Sequence, residues 1–146
     1  GYVAATVADE TGADVVGSDL NPYAVRQAAD RGVSVVRSDL VSAFRDGAFD
    51  AVVFNPPYLP RDDDAAREDW MEVALSGGDD GRAVVEPFLD DVGRVLAPDG
   101  FALVLVSTLT GVDEVVEYAG ERGFSAVAVR EESFPFETLS VLKLWR

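Results

Sequence analysis

Phe49-Asp50-Ala51-Val52-Val53-Phe54-Asn55-Pro56-Pro57-Tyr58 reads as a buried strand stopped by a rigid polar exit. Two earlier runs stop in the same way. Residues 13–18 form a short apolar strand closed by Asp19, and residues 33–37 form a second closed by Ser38 and Asp39. Helical segments stand between these runs. Strands alternating with helices predict an α/β fold with a mainly parallel sheet, covered by helices on both faces.

The flanking segments extend that pattern. Residues 2–11 carry Val3, Ala4, Val7 and Ala8 at helical spacing, with Gly12 placed to end the helix. Asn21 and Pro22 read as a helix cap and first-turn pair, opening a helix to Arg31 that Gly32 terminates. A short helical stretch is expected over residues 40–45, and a mobile loop over the polar residues 61–69. Val85, Phe88, Leu89, Val92, Val95 and Leu96 make one stripe on a helix over residues 82–97, with Pro87 tolerated near its start. Pro98-Asp99-Gly100 reads as a turn. Residues 101–107 are the most apolar strand and so should be central. Thr110 and Asp113 resemble a capping box. Residues 124–130 and 139–145 are strands with no helix between them, so the sheet should have an antiparallel end.

The 146 residues are expected to form one domain, large enough for a substantial core. With neither Cys nor His, the chain has no thiol nucleophile, imidazole base or disulfide and lacks the usual zinc ligands, so no metal site is expected. No apolar stretch approaches the roughly 20 residues of a membrane span, and none resembles a secretory signal, so a cytoplasmic location is expected. Net charge is −15, from 17 Asp and 10 Glu against 11 Arg and the single Lys143. Such a surface repels nucleic acid. It also resembles surfaces adapted to a high-salt cytoplasm, where charge maintains solubility and salt screens the repulsion; this is the preferred reading. The chain starts at Gly1 without Met, and its first segment already reads as a helix, so a preceding portion is expected.

The Asn-Pro-Pro-Tyr exit suits one kind of chemistry. A planar NH2 group is a poor nucleophile because its lone pair is delocalised. The Asn55 amide oxygen can accept one N–H, and the Pro56 carbonyl, fixed by Pro56 and Pro57, can accept the other. The lone pair then faces an electrophilic methyl, while Tyr58 lies against the planar group and excludes water. Positioning of this kind can supply several of the roughly 7–11 kcal/mol available to well-oriented reactants. Taken alone, the four residues are equally a strand-to-loop turn.

In open α/β sheets, ligands bind outside the carboxyl ends of the strands, where Asp19, Asp39 and Asn55 all fall. Asp19 can hydrogen-bond both hydroxyls of a ribose. Asp39 can accept from an adenine amino group, with Leu40 supplying a backbone N–H. Either Asp alone could equally be a strand end or a helix cap.

The order Asp19, Asp39, Asn55-Pro56-Pro57-Tyr58, then Ala97-Pro98-Asp99-Gly100 before a hydrophobic strand, resembles the AdoMet-dependent class I methyltransferases, with their Rossmann-like sheet. Ala74-Leu75-Ser76-Gly77-Gly78-Asp79-Asp80-Gly81-Arg82 and the ending Leu139-Ser140-Val141-Leu142-Lys143-Leu144 are similar to the HemK branch. These are the protein-glutamine N5-methyltransferases, which modify the Gly-Gly-Gln loop of translation release factors. The compact form is similar to archaeal and eukaryotic members. The resemblance implies S-adenosyl-L-methionine (AdoMet) as cofactor, held by Gly1, Tyr2, Asp19, Leu20, Asp39, Leu40 and Asn55, with Asn55, Pro56, Pro57 and Tyr58 as catalytic residues. It makes Gly1 the last glycine of a Gly-rich loop, so that the first strand and the rest of the loop are missing from this chain. It also implies a release factor as protein substrate and a small zinc-containing activator subunit, expected on the edge formed by residues 33–37.

Two other readings compete. An adenine or guanine amino methyltransferase acting on RNA or DNA needs a basic track with aromatic platforms, and here the arginines are scattered among acids. An inert methyltransferase-like scaffold fits a chain without its glycine loop, but not an intact Asn-Pro-Pro-Tyr.

Overall fold

The structure, a computed structural model, describes residues 1–58 and 77–146. The expected loop over residues 61–69, and Ala74, Leu75 and Ser76 of the HemK-like stretch, lie outside the described residues. The chain divides into two compact units, Gly1–Phe44 and Arg45–Arg146.

In the first unit, helix α1 (Tyr2–Thr11) ends as glycine chemistry requires. Gly12 takes φ 68° and its N–H donates to the Ala8 carbonyl at 2.9 Å. Strand β1 (Gly17–Asp19), helix α2 (Pro22–Asp30) and strand β2 (Val35–Arg37) follow. The expected cap is present: Asn21 Oδ1 accepts the Tyr23 N–H at 2.9 Å, with Pro22 in the first turn. β1 and β2 pair in parallel, Gly17 opposite Val35 and Asp19 opposite Arg37. Both strands are shorter than predicted. Val33 donates its N–H to the Ala28 carbonyl at 3.1 Å, so it closes the end of α2 and leaves the strand to begin later. The helical stretch expected over residues 40–45 is a pair of turns, with bonds from Ser42 to Asp39 and from Phe44 to Val41. Leu40 has φ 49°, the opposite hand to an α-helix.

The second unit comprises β3 (Phe49–Phe54), α3 (Val85–Val95), β4 (Leu96–Ser107), α4 (Val112–Glu121), β5 (Ser125–Ser133) and β6 (Thr138–Trp145). Its sheet has the order β3-β4-β6-β5. β3 lies parallel to β4, and β6 is antiparallel to both β4 and β5, so β6 alone runs against the others. The predicted antiparallel strand is therefore inserted between β4 and β5. The helical stripe is the core except at Leu96, expected on the helix, which instead opens β4: Val85, Phe88, Leu89, Val92 and Val95 are buried, with Ala102, Val104 and Val106 of β4, Val115 and Ala119 of α4, and Leu142 and Leu144 of β6.

Three expectations are corrected here. Residues 97–100 do not form a separate turn; they bulge out of β4 opposite Asp50, since Leu96 pairs with Phe49 and Phe101 with Ala51. Helix α4 starts after Gly111 with no side-chain cap, so Thr110 and Asp113 make no capping box. β3 is not fully buried, with Val53 45% exposed, because β4 is its one partner strand among the described residues.

Candidate functional site

In the first unit, the carboxyl ends of β1 and β2 are tied to each other. The Ser38 N–H donates to the Asp19 carbonyl at 3.1 Å, Arg37 Nε to the Leu20 carbonyl at 3.2 Å, and the Ser18 hydroxyl to the Leu40 carbonyl at 3.1 Å. Asp19, Leu20, Asp39 and Leu40 therefore share one rigid rim. Neither bond at Leu20 and Leu40 uses the Leu40 N–H, the donor expected to meet an adenine. Asp19 Oδ1 accepts the Asn21 N–H at 2.8 Å, which fixes the carboxylate and leaves its second oxygen, at an exposed position, without a partner among the described residues. That donor set fits a ribose: a fixed carboxylate beside a strand end, open to solvent. Gly1 lies against α2, where a Cβ would stand 2.7 Å from the Ala28 Cβ, so only glycine permits this approach. Tyr2 is 79% exposed.

In the second unit, β3 delivers Asn55 to an exposed position, whereas Pro56 is buried and Pro57 and Tyr58 are half-buried. Phe54 just before it stacks on Phe88 of α3, ring centroids 4.2 Å apart, anchoring the strand end to the core. The Asn55 side chain makes no hydrogen bond with the described residues, so its amide is available to a ligand.

Several side chains that sequence reasoning gave no role in the site hold this exit in place. The buried Thr110 hydroxyl donates to the Tyr58 carbonyl at 3.4 Å, and the Arg82 guanidinium donates to the Thr110 carbonyl at 2.8 Å. Arg82 is braced in turn by Asp80 at 2.8 Å and Glu86 at 3.4 Å. Gly81 makes the approach possible, with φ 76° and space in which a Cβ would meet the Tyr58 carbonyl at 2.7 Å. The HemK-like segment around residues 77–82 thus works as a buttress under Asn-Pro-Pro-Tyr. Ser107, fully buried at the end of β4, donates to Glu137 Oε2 at 2.5 Å across the sheet. Burial first, and then the Glu137 charge, push the Tyr58 hydroxyl above the ordinary phenol value, so Tyr58 is a neutral aromatic at physiological pH. The run Ser107-Thr108-Leu109-Thr110 at the end of the central strand could have signalled these supports by the same strand-end rule that found Asn55. No local signal marks Glu137.

Among the described residues, no group of three or more Asp or Glu side chains is arranged to hold a metal ion. The arrangement can grip a planar NH2 through an amide oxygen and a fixed carbonyl, with an uncharged ring beside them.

No family model matches the chain. Similarity to individual proteins is extensive. A relative from Methanocaldococcus jannaschii, provisionally named a protein N5-glutamine methyltransferase, is 33% identical over all of this chain and 77% of its own length. The methyltransferase HEMK2 of Homo sapiens is 30% identical over 64% of this chain, which spans 44% of the human protein. Among solved structures, the E. cuniculi Mtq2–Trm112 complex, responsible for methylation of the eRF1 translation termination factor, matches with a TM-score of 0.69 at 32% identity, covering 89% of this chain and 70% of that one. The 16S rRNA N2 G1207 methyltransferase of T. Thermophilus, in complex with AdoMet and guanosine, matches with a TM-score of 0.67 over 99% of this chain and 32% of its own; at 20% identity it shows the fold alone.

Proposed function

The chain belongs to the protein N5-glutamine methyltransferase family, and from that premise we propose that it transfers a methyl group from AdoMet to the side-chain nitrogen of a glutamine in a translation release factor. The observation that carries the reading is Asn55: an exposed amide with no hydrogen bond to the described residues, at the end of β3, followed by two prolines and a buttressed Tyr58.

Bound AdoMet would supply an electrophilic sulfonium methyl. Asn55 Oδ1 accepts one N–H of the substrate amide and the Pro56 carbonyl accepts the other, turning the nitrogen lone pair toward the methyl carbon. Methyl transfer to that nitrogen would leave the electron pair of the C–S bond on sulfur. The nitrogen becomes acidic only as it is alkylated, so its proton can pass to water and no general base is required. Tyr58, neutral and held through its own carbonyl, covers the planar face and excludes water. Asp19 would offer its second oxygen to the ribose hydroxyls, and Asp39 and Leu40 would take the adenine edge, with Gly1, Tyr2 and Leu20 lining the cofactor.

The names of the relatives support a glutamine acceptor. The decisive experiment incubates the full-length protein with labelled AdoMet and either a release factor or total RNA. Label in the release factor is expected; label in RNA alone would overturn the reading. The edge of β2 is also proposed to receive a small activator subunit. β2 pairs with β1 alone among the described residues, Val36 is 37% exposed, and Mtq2 is itself found in complex with Trm112. If co-expression with such a subunit changes neither yield nor activity, this part fails.

A further inference from the structure

Among the described residues, Glu137 is the one acid whose carboxylate is both anchored to the buried end of the central strand and felt electrostatically at Tyr58. Its anchoring is thorough. Oε2 accepts the hydroxyl of Ser107, whose oxygen in turn accepts the Leu109 N–H at 3.1 Å. The Glu137 carbonyl accepts the Phe134 N–H at 2.7 Å, closing a tight turn between β5 and β6. The following residue, Thr138, exchanges bonds with Thr108: its N–H donates to Thr108 Oγ1 at 3.0 Å, and its carbonyl accepts the Thr108 N–H at 2.9 Å. Three residues beyond Ser107, Thr110 holds the Tyr58 carbonyl. One continuous set of bonds therefore connects Glu137 to the backbone of the Asn-Pro-Pro-Tyr exit.

The second carboxylate oxygen, Oε1, has no partner, and no arginine or lysine pairs with Glu137, among the described residues. Arg82, the cation nearest in the bonded network, is fully engaged by Asp80, Glu86 and the Thr110 carbonyl. If Glu137 served only to pin the β5–β6 turn, a neutral acceptor would suffice, because Ser107 is a neutral donor. The carboxylate therefore carries a negative charge that the turn does not use. A fixed, half-buried carboxylate attracts a cation and repels a phosphodiester.

We propose that Glu137 is a specificity-determining residue of this site, whose free oxygen accepts a hydrogen bond from a cationic side chain flanking the methylated glutamine in a polypeptide substrate. This rests on the glutamine reading of Asn55 given above.

The test uses two glutamine peptides of the same sequence, one with arginine and one with citrulline beside the glutamine, assayed for methyl transfer with the full-length protein and with Glu137→Gln. Citrulline keeps the shape and loses the charge. The amide introduced by Glu137→Gln still offers an acceptor to Ser107, so this variant removes charge while preserving the turn. The unmodified protein is expected to favour the arginine peptide by roughly tenfold in kcat/KM, chiefly through KM, the scale of a charge-assisted contact at a partly exposed site. Glu137→Gln should abolish that preference, bringing the kcat/KM ratio of the two peptides to about one. Equal use of both peptides by the unmodified protein, or a preference that survives Glu137→Gln, overturns the inference and leaves the glutamine reading standing. If the unmodified protein methylates neither peptide nor a whole release factor, the glutamine reading has failed and this inference falls with it. If it methylates only the whole factor, the same comparison is made with arginine or glutamine placed beside the methylated glutamine of that factor.

Discussion

Asn55 and Thr110 divide the work at the strand end, one exposed at its tip and the other holding the backbone. Since Asn55 is exposed and its side chain bonds nothing within the described chain, removing its amide should cost function without costing the fold. Asn55→Ala is expected to abolish methyl transfer while cofactor affinity stays within a few-fold; calorimetry beside a labelled-methyl assay checks both, and full activity would end the mechanism. Thr110→Val keeps the volume and removes the donor to the Tyr58 carbonyl, so a loss of about 1 kcal/mol in unfolding free energy is expected, with a fall in kcat as Tyr58 loosens. Denaturant titration of the variant would show this. Asp19, fixed by the Asn21 N–H, should matter to binding alone. Asp19→Ala is expected to weaken AdoMet binding by roughly 1.5–3 kcal/mol, the scale of a hydrogen bond to a charged group. Unchanged affinity in the complete domain would remove the ribose assignment.

Helices α3 and α4 are joined at the surface by a charge cluster. Arg122 Nε bonds Asp90, the Tyr118 hydroxyl lies 3.1 Å from the same carboxylate, and the Arg122 guanidinium stacks 3.2 Å from the Tyr118 ring centroid. The Arg122 bond chiefly, opposed by partial burial and aided by Tyr118, holds the Asp90 carboxyl below the usual aspartate range. A folded-state value below the unfolded one means that the stabilisation is present above the ordinary aspartate pKa and is lost as pH falls through the depressed one. Asp90→Asn should therefore melt below the unmodified protein at neutral pH, and the gap should close in acid. A gap that is constant with pH would show that the cluster contributes through packing alone. Beneath the cluster, Val115 and Ala119 are buried in the core with Leu89 and Val92; the spacing of the α3 residues already showed that helix's face.

At the scale of the whole molecule, 27 acidic side chains against 12 basic ones leave a charge of −15 on 146 residues, and mutual repulsion opposes folding until salt screens it. The melting temperature is expected to rise steeply with potassium chloride and hardly at all with an uncharged osmolyte at equal osmolality; equal responses would assign the effect to solvent exclusion. The sequence by itself determined the alternation of strands and helices, the buried stripe of α3, the Asn21 cap, the Gly12 terminator and the Asn-Pro-Pro-Tyr exit, because each depends on spacing or chemistry within a few residues. It also carried the family, through motifs in a fixed order along the chain. Tertiary structure alone decided that β6 enters between β4 and β5, that residues 97–100 bulge rather than turn, and that Thr110 supports Tyr58 instead of capping α4. It alone set Glu137 on Ser107, 30 residues away. Those outcomes depend on which distant partner supplies the hydrogen bond, and a buried hydroxyl or strand edge takes the partner that the fold brings within reach.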